Sequence, residues 1–260
     1  MPELLVRPDG PIGRIVFSNP EKYNAMTRDM WEALPPAIER FDADPAIRVV
    51  VLEGEGDRAF VSGADISQFE SQRTDPEVQA RYNAAVEAAY AAPVRCSKPV
   101  VAKIHGICMG GGLGLAAACD LRFATDDARF RMPAGRLGLG YAAPGVARFL
   151  RVLGLQNTLD VFFSARIFDA ADALRMGFVT RVEPRERFDE VVDGWCRDAA
   201  ANAPLTLRAL KRTVGELMRD PAERDLAAVE AAIAACFASD DYREGARAFM
   251  EKRPPVFRGA

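Results

Sequence analysis

Short runs of β-branched and aliphatic residues at 12–17, 49–52 and 99–104 alternate, through the first half of the chain, with segments of helical period. An apolar run of this length bounded by turn formers reads as a buried strand, and its alternation with helical segments predicts an α/β fold. In the segment 27–41, Met30, Trp31, Leu34, Ile38 and Phe41 fall on one helical face behind Thr27, a side chain suited to an N-cap. Pro35 and Pro36 predict a kink or a break within it, because each removes a backbone donor. The stretch KPVVAKIHGICMGGGLGLAAACD at residues 98–120 predicts a buried strand, a glycine turn and a helix of small apolar residues over 112–119.

After about residue 196 the strand pattern ends. Two helical stripes follow, Leu207, Leu210, Val214 and Leu217, then Leu226, Val229, Ile233 and Phe237, with a third short helix expected from near Asp240. The predicted division is therefore an α/β core at 1–195 and a helical region at 196–260. Such a tail cannot bury every apolar face by itself, so it packs back on the core or meets other subunits. Residues 69–90 are expected to form a loop-built wall whose packing the pattern does not specify.

Composition narrows the chemistry. With 260 residues and 49% hydrophobic content the chain can bury a sizeable core. Charged residues nearly cancel, to a formal net charge of -3, which leaves no electrostatic footprint for nucleic acid or for an anionic membrane surface. No run reaches the ~18 apolar residues of a membrane span, and the N-terminal stretch lacks a leader pattern. Five cysteines without a CxxC pair predict reduced thiols, and hence a cytoplasmic protein, with Cys108 and Cys119 as small buried hydrophobes. His105 is the only histidine, which removes HExxH and multi-histidine metal sites. It is expected to satisfy local backbone groups. Gly138-Leu-Gly-Tyr-Ala-Ala143 formally matches a dinucleotide fingerprint, but no strand pattern precedes it and no NAD site is expected.

Two glycine turns carry the candidate chemistry. A helix opened by Gly110, Gly111 and Gly112 exposes backbone N–H groups suited to an oxyanion or phosphate, and tight strand-to-helix packing explains the same glycines equally well. The stretch GEGDRAFVSGADI at 54–66 follows the strand ending at Leu52 in the same manner. Two such turns can aim two N–H donors at one carbonyl oxygen.

The landmarks taken together resemble the crotonase family, also called the enoyl-CoA hydratase/isomerase family. NPEKYNA at 19–25, AFVSGADI at 59–66, the GGG segment ending in Cys119-Asp120, IFDAADALRMGFV at 167–179 and FMEKR at 249–253 resemble that family's motifs in order and spacing, over essentially the full chain. The resemblance implies a spiral of ββα repeats followed by a C-terminal helical trimerisation region, giving homotrimers or homohexamers. It also implies a coenzyme A thioester as substrate, with no separate cofactor and no metal. By motif match, the backbone N–H groups of Ala64 and Gly111 would form an oxyanion hole. Ala25, Ala64, Asp65, Ile66, Ser67 and Gly111 would line the substrate site, and Lys22, with Phe249 and Lys252 of a neighbouring subunit, would meet the CoA phosphates, though a solvated surface charge explains each lysine equally well.

The pattern breaks at two positions. Family hydratases carry glutamates where this chain has Gly114 and Ala134. General acid-base groups contribute about 10² to 10⁴-fold each, so an efficient hydratase is not expected. A decarboxylase, an isomerase or a catalytically silent acyl-CoA binder remains. Tyr141 matches locally a tyrosine of a decarboxylase of the family acting on methylmalonyl-CoA. It and Arg136 are the strong polar groups of the loop at 133–141 and the candidate replacements; ring packing for the tyrosine and a surface ion pair for the arginine are the alternatives. Asp65 and Asp120 are expected to serve capping and packing.

Overall fold

Strand β2 (Ile12–Ser18) pairs antiparallel with β1 (Glu3–Asp9) and parallel with β3 (Val49–Gly54), with Ile12 opposite Val49 and Ile15 opposite Leu52. The computed structural model describes residues 1–65 and 76–260, Pro76 by its backbone alone. Strands β5 (Val100–Ile104), β7 (Leu121–Thr125) and β10 (Arg181–Glu183) extend the sheet in parallel, in the order β1-β2-β3-β5-β7-β10. A second sheet takes β4 (Ala59–Val61), β6 (Ile107–Met109), β8 (Arg129–Arg131) and β9 (Phe168–Asp169) in that order.

The connectivity explains both sheets. Each of the pairs β3-β4, β5-β6 and β7-β8 puts its first strand in one sheet and its second in the other. A helix follows each pair: α2 (Pro76–Arg95), α3 (Gly111–Ala118) and α4 (Ala143–Ser164), the last interrupted at Gly154. This is the expected spiral of ββα repeats, with β6 an additional strand inside the stretch expected as a plain glycine turn.

The continuous apolar runs follow from burial on both faces. In β3, Val50 and Leu52 point into the main core with Trp31, Leu34 and Phe60. Val49 and Val51 point the other way, onto Phe188, Val192 and Cys196 of α6 (Arg185–Ala200). Between α4 and α6 stands the short α5 (Ala170–Arg175), capped by Asp169.

Helix α1 (Arg28–Ala43) corrects the expected break. It runs through Pro35 and Pro36 as one helix, with Thr27 accepting from the Met30 N–H as N-cap. Its buried stripe of Met30, Trp31, Leu34, Ile38 and Phe41 spans both sides of the prolines, so packing overrides two missing donors on the outer face. At its other end the Lys98 ammonium donates to the carbonyls of Phe41 and Asp44, both at 2.6 Å. The wall at 69–90 is also corrected: from residue 76 it is helical, and Tyr82, Val86, Ala89 and Tyr90 pack inward at spacings of four, three and one.

The tail forms α7 (Pro204–Leu217), α8 (Leu226–Ala238) and α9 (Asp240–Glu251). The expected division at 195/196 falls inside α6. Leu210, Val214, Leu217, Ile233, Phe237 and Phe249 are exposed on the single chain, so the predicted stripes exist but the core does not cover them.

Candidate functional site

The two glycine turns meet. Gly63 and Gly110 have φ of +129° and +51°, conformations in which a side chain is strained. A Cβ placed on Gly63 would stand 3.6 Å from the Met109 carbonyl oxygen and 4.0 Å from the Gly111 nitrogen, so the two backbones lie against each other. Helix α3 seats on β4 just as closely, since a Cβ on Gly112 would fall 2.1 Å from the Val61 carbonyl. The tight-packing reading of these glycines therefore holds, and that packing brings the turns side by side.

The turns also leave donors available. Met26 pairs with Ala64 in a parallel bridge, in which the Met26 N–H donates to Gly63 O and the Asp65 N–H to Met26 O. By strand alternation the N–H of Ala64 points away from that bridge. Gly111 is the first residue of α3, whose opening N–H groups have no intrahelical acceptor. Two such N–H groups on adjacent turns form an arrangement suited to an oxygen anion.

The NPEKYNA segment acts as a clamp on AFVSGADI. Asn24, in the left-handed region at φ 55°, donates through Nδ2 to the carbonyls of Ala59 and Glu55, and Asn19 Nδ2 donates to Ala25 O. Lys22 Nζ contacts both oxygens of the buried Asp65 carboxylate, at 2.8 and 3.1 Å. Asp65 thus holds Lys22; the helix end it is expected to cap lies outside the described residues. Ile66 and Ser67 lie outside the described residues. Phe249 and Lys252 are exposed at the end of α9, with Lys252 in the left-handed region at φ 53°.

The position expected for the first glutamate is filled by tyrosines. A Cβ on Gly114 would lie 2.9 Å from Tyr90 Oη and 3.0 Å from Tyr141 Oη. Tyr90, from α2, donates to the Gly111 carbonyl at 3.2 Å and packs edge-on against Trp31. That bond fixes the peptide beside the Gly111 N–H. Tyr141 is wedged among Phe149, Phe162 and Gly145. Burial pushes both phenols above the ordinary tyrosine range, Tyr90 well above it, and their hydroxyls are coupled to each other. Both are therefore neutral donors at physiological pH. Ala134, the position expected for the second glutamate, is buried at the start of a short 3-10 turn.

Sequence reasoning named Tyr141, whose ring packs on Phe149 and Phe162, but neither Tyr90 nor Arg148 beside it. Arg148, on α4, stacks over the Tyr90 ring at 4.7 Å and reaches Glu87 through Nη2 at 3.1 Å. Arg136, the expected cation, is exposed instead. The four-residue spacing of Tyr82, Val86 and Tyr90 was the available signal for the first; nothing local distinguishes Arg148 from the other arginines.

His105 lies apart from these turns. Its Nε2 stands 3.2 Å from Asp189 Oδ1 and its ring packs edge-on against Phe188, so it engages a side chain of α6 in place of the expected backbone groups. Burial lowers its pKa, opposed by the Asp189 carboxylate. Asp120 accepts from the Val100 N–H and from Lys211 Nζ, a structural tie as expected. Cys108 and Cys119 are buried, and burial pushes the Cys119 thiol up to about 12. Among the described residues no group of three metal-ligating side chains is assembled, and no helix is long and apolar enough to cross a membrane.

Comparison with known proteins agrees with this architecture. A short-chain enoyl-CoA hydratase of Clostridium acetobutylicum is 28% identical over 252 residues, covering 96% of this chain and 95% of that protein. A peroxisomal Delta(3,5)-Delta(2,4)-dienoyl-CoA isomerase of Arabidopsis thaliana is 28% identical over 260 residues, covering 96% and 93%. The crystal structure of an enoyl-CoA hydratase/carnithine racemase from Magnetospirillum magneticum superposes with a TM-score of 0.93 at 34% identity, covering 100% of this chain and 97% of that one. Residues 8–260 match the enoyl-CoA hydratase/isomerase family, and the chain belongs to it.

Proposed function

We propose that this protein processes an acyl-CoA thioester by stabilising its enolate between the backbone N–H groups of Ala64 and Gly111, and that it is not an efficient hydratase. The observation carrying this reading is the contact of the two glycine turns, Gly63 against Gly111, beside a Gly114 position occupied by tyrosine hydroxyls. Enolising a thioester places negative charge on its oxygen, and a preorganised donor stabilises that charge by about 3 to 4 kcal/mol in the best cases. Backbone donors supply this whatever side chain stands at Gly114 or Ala134. Hydration additionally needs carboxylates to activate water and deliver a proton, and neither position has one. Decarboxylation fits this set of groups best, because loss of carbon dioxide leaves the enolate without a base and the neutral Tyr141 phenol is an available proton donor; double-bond isomerisation would need a further residue to accept the proton.

The same reading includes a cytoplasmic homotrimer or homohexamer, supported by the uncovered apolar faces of α7 and α8. Incubation with crotonyl-CoA, methylmalonyl-CoA and 3-enoyl-CoA substrates tests it. Turnover is expected on a substrate other than crotonyl-CoA, with crotonyl-CoA hydration slower by at least about 10²-fold. Efficient hydration would overturn the second half of the proposal. Binding of thioesters with no turnover of any would favour a silent acyl-CoA-binding protein, which the missing carboxylates also suit.

A further inference from the structure

Two buried side-chain donors near the glycine turns lack a partner among the described residues, Trp31 Nε1 and a guanidinium nitrogen of Arg148, and only the second carries charge. The Arg148 side chain is 90% buried, at 10% relative exposure. Nη2 is taken by Glu87, yet Nη1 is a buried donor without a hydrogen-bond partner among the described residues. A planar guanidinium holds its donors in a fork, so an acceptor on one arm leaves the other directed elsewhere. Buried donors in folded proteins almost always find an acceptor, whether in the protein, an ordered water or a bound ligand.

The surroundings indicate what that ligand is. Arg148 lies over the Tyr90 ring, and the hydroxyls of Tyr90 and Tyr141 converge on the place a Cβ of Gly114 would take, one turn along α3 from Gly111. Tyr90 already donates to the Gly111 carbonyl, but Tyr141 has no donated bond to the backbone among the described residues. One buried positive fork and the Tyr141 phenol, hydrogen-bonded to Tyr90, are therefore gathered at the position expected for a hydratase glutamate. A cation and hydroxyl donors suit an anion, and an oxygen anion of planar shape suits the fork best.

We infer that Arg148, with Tyr141, forms a subsite for a carboxylate carried by the acyl group, so that the substrate is the CoA thioester of a dicarboxylic acid. The inference rests on the proposed acyl-CoA reading and deepens it. The missing glutamate and the buried arginine then have one cause: a carboxylate at Gly114 would repel the substrate's own. Glu87, half outside the core, balances the guanidinium in the free protein and leaves its second arm for the ligand.

Calorimetric titration of the full-length protein with two matched pairs decides this: methylmalonyl-CoA against isobutyryl-CoA, and glutaryl-CoA against valeryl-CoA. At least one carboxylated member is expected to bind about tenfold or more tightly than its uncharged partner, as a charge-assisted bond implies. In Arg148→Gln that ratio is expected to collapse to about one, and in Arg148→Lys to be retained in part. Equal affinity within both pairs in the unmodified protein would overturn the inference, and so would an undiminished ratio in Arg148→Gln. If Arg148→Gln fails to fold, the unmodified protein and the lysine variant still give the decisive ratios. Failure of every thioester to bind would instead refute the acyl-CoA reading itself.

Discussion

Two glycine-to-alanine substitutions, both inside helices, are expected to move stability in opposite directions. Gly215 lies in α7, and nothing stands within 4 Å of the position its Cβ would take. Alanine there removes the helix penalty of glycine, about 1 kcal/mol, and should stabilise the protein by up to that amount. Gly114 gains the same propensity in α3, but its Cβ would press against two tyrosine hydroxyls at 2.9 and 3.0 Å and the Tyr90 Cζ at 3.0 Å. Those rings cannot easily retreat: Tyr90 is held by Trp31, Arg148 and the Gly111 carbonyl, and Tyr141 by Phe149 and Phe162. Overpacking a site of this kind costs about 1–3 kcal/mol. The propensity gain cancels between the two variants, so Gly215→Ala should exceed Gly114→Ala in stability by about 1–3 kcal/mol. Urea denaturation followed by circular dichroism, at one fixed protein concentration, measures the gap. Two variants stabilised equally would show that the tyrosines do not occupy the space beside Gly114.

The double variant Gly114→Glu with Ala134→Glu should give no crotonyl-CoA hydration, because the tyrosines fill the space of the first carboxylate; loss of the enoyl absorbance on incubation would contradict this. Thr27→Ala removes the acceptor for the Met30 N–H and should cost about 1 kcal/mol, read as a lower urea midpoint at unchanged slope. The His105 imidazole has a folded-state pKa lowered from 6.5 by burial, so the folded protein binds fewer protons there than the unfolded chain. Its contribution is fully present above about pH 6.5 and is lost as the pH falls through that value toward the folded pKa. His105→Gln should accordingly flatten the stability profile between about pH 7 and 5, and an unchanged slope would count against the burial argument.

The sequence by itself determined strands β2, β3 and β5, the α1 face behind its Thr27 cap, the helical tail and the two glycine turns. These are local: an apolar run, a period of 3.6 and a glycine at positive φ are written in neighbouring residues. It also showed that Gly114 and Ala134 carry no carboxylate. What replaces the first of those groups was decided by tertiary structure alone. Tyr90 arrives from α2 and Arg148 from α4, 24 residues before and 34 after Gly114, and their meeting depends on how three ββα repeats stack. The same distance effect kept α1 whole through two prolines and sent His105 to Asp189 on the far face of the sheet. Arg136 and Arg148 look alike as sequence, and only packing against α2 buried one and exposed the other. Periodicity records which face of an element is covered; it holds no information about which distant side chain covers it.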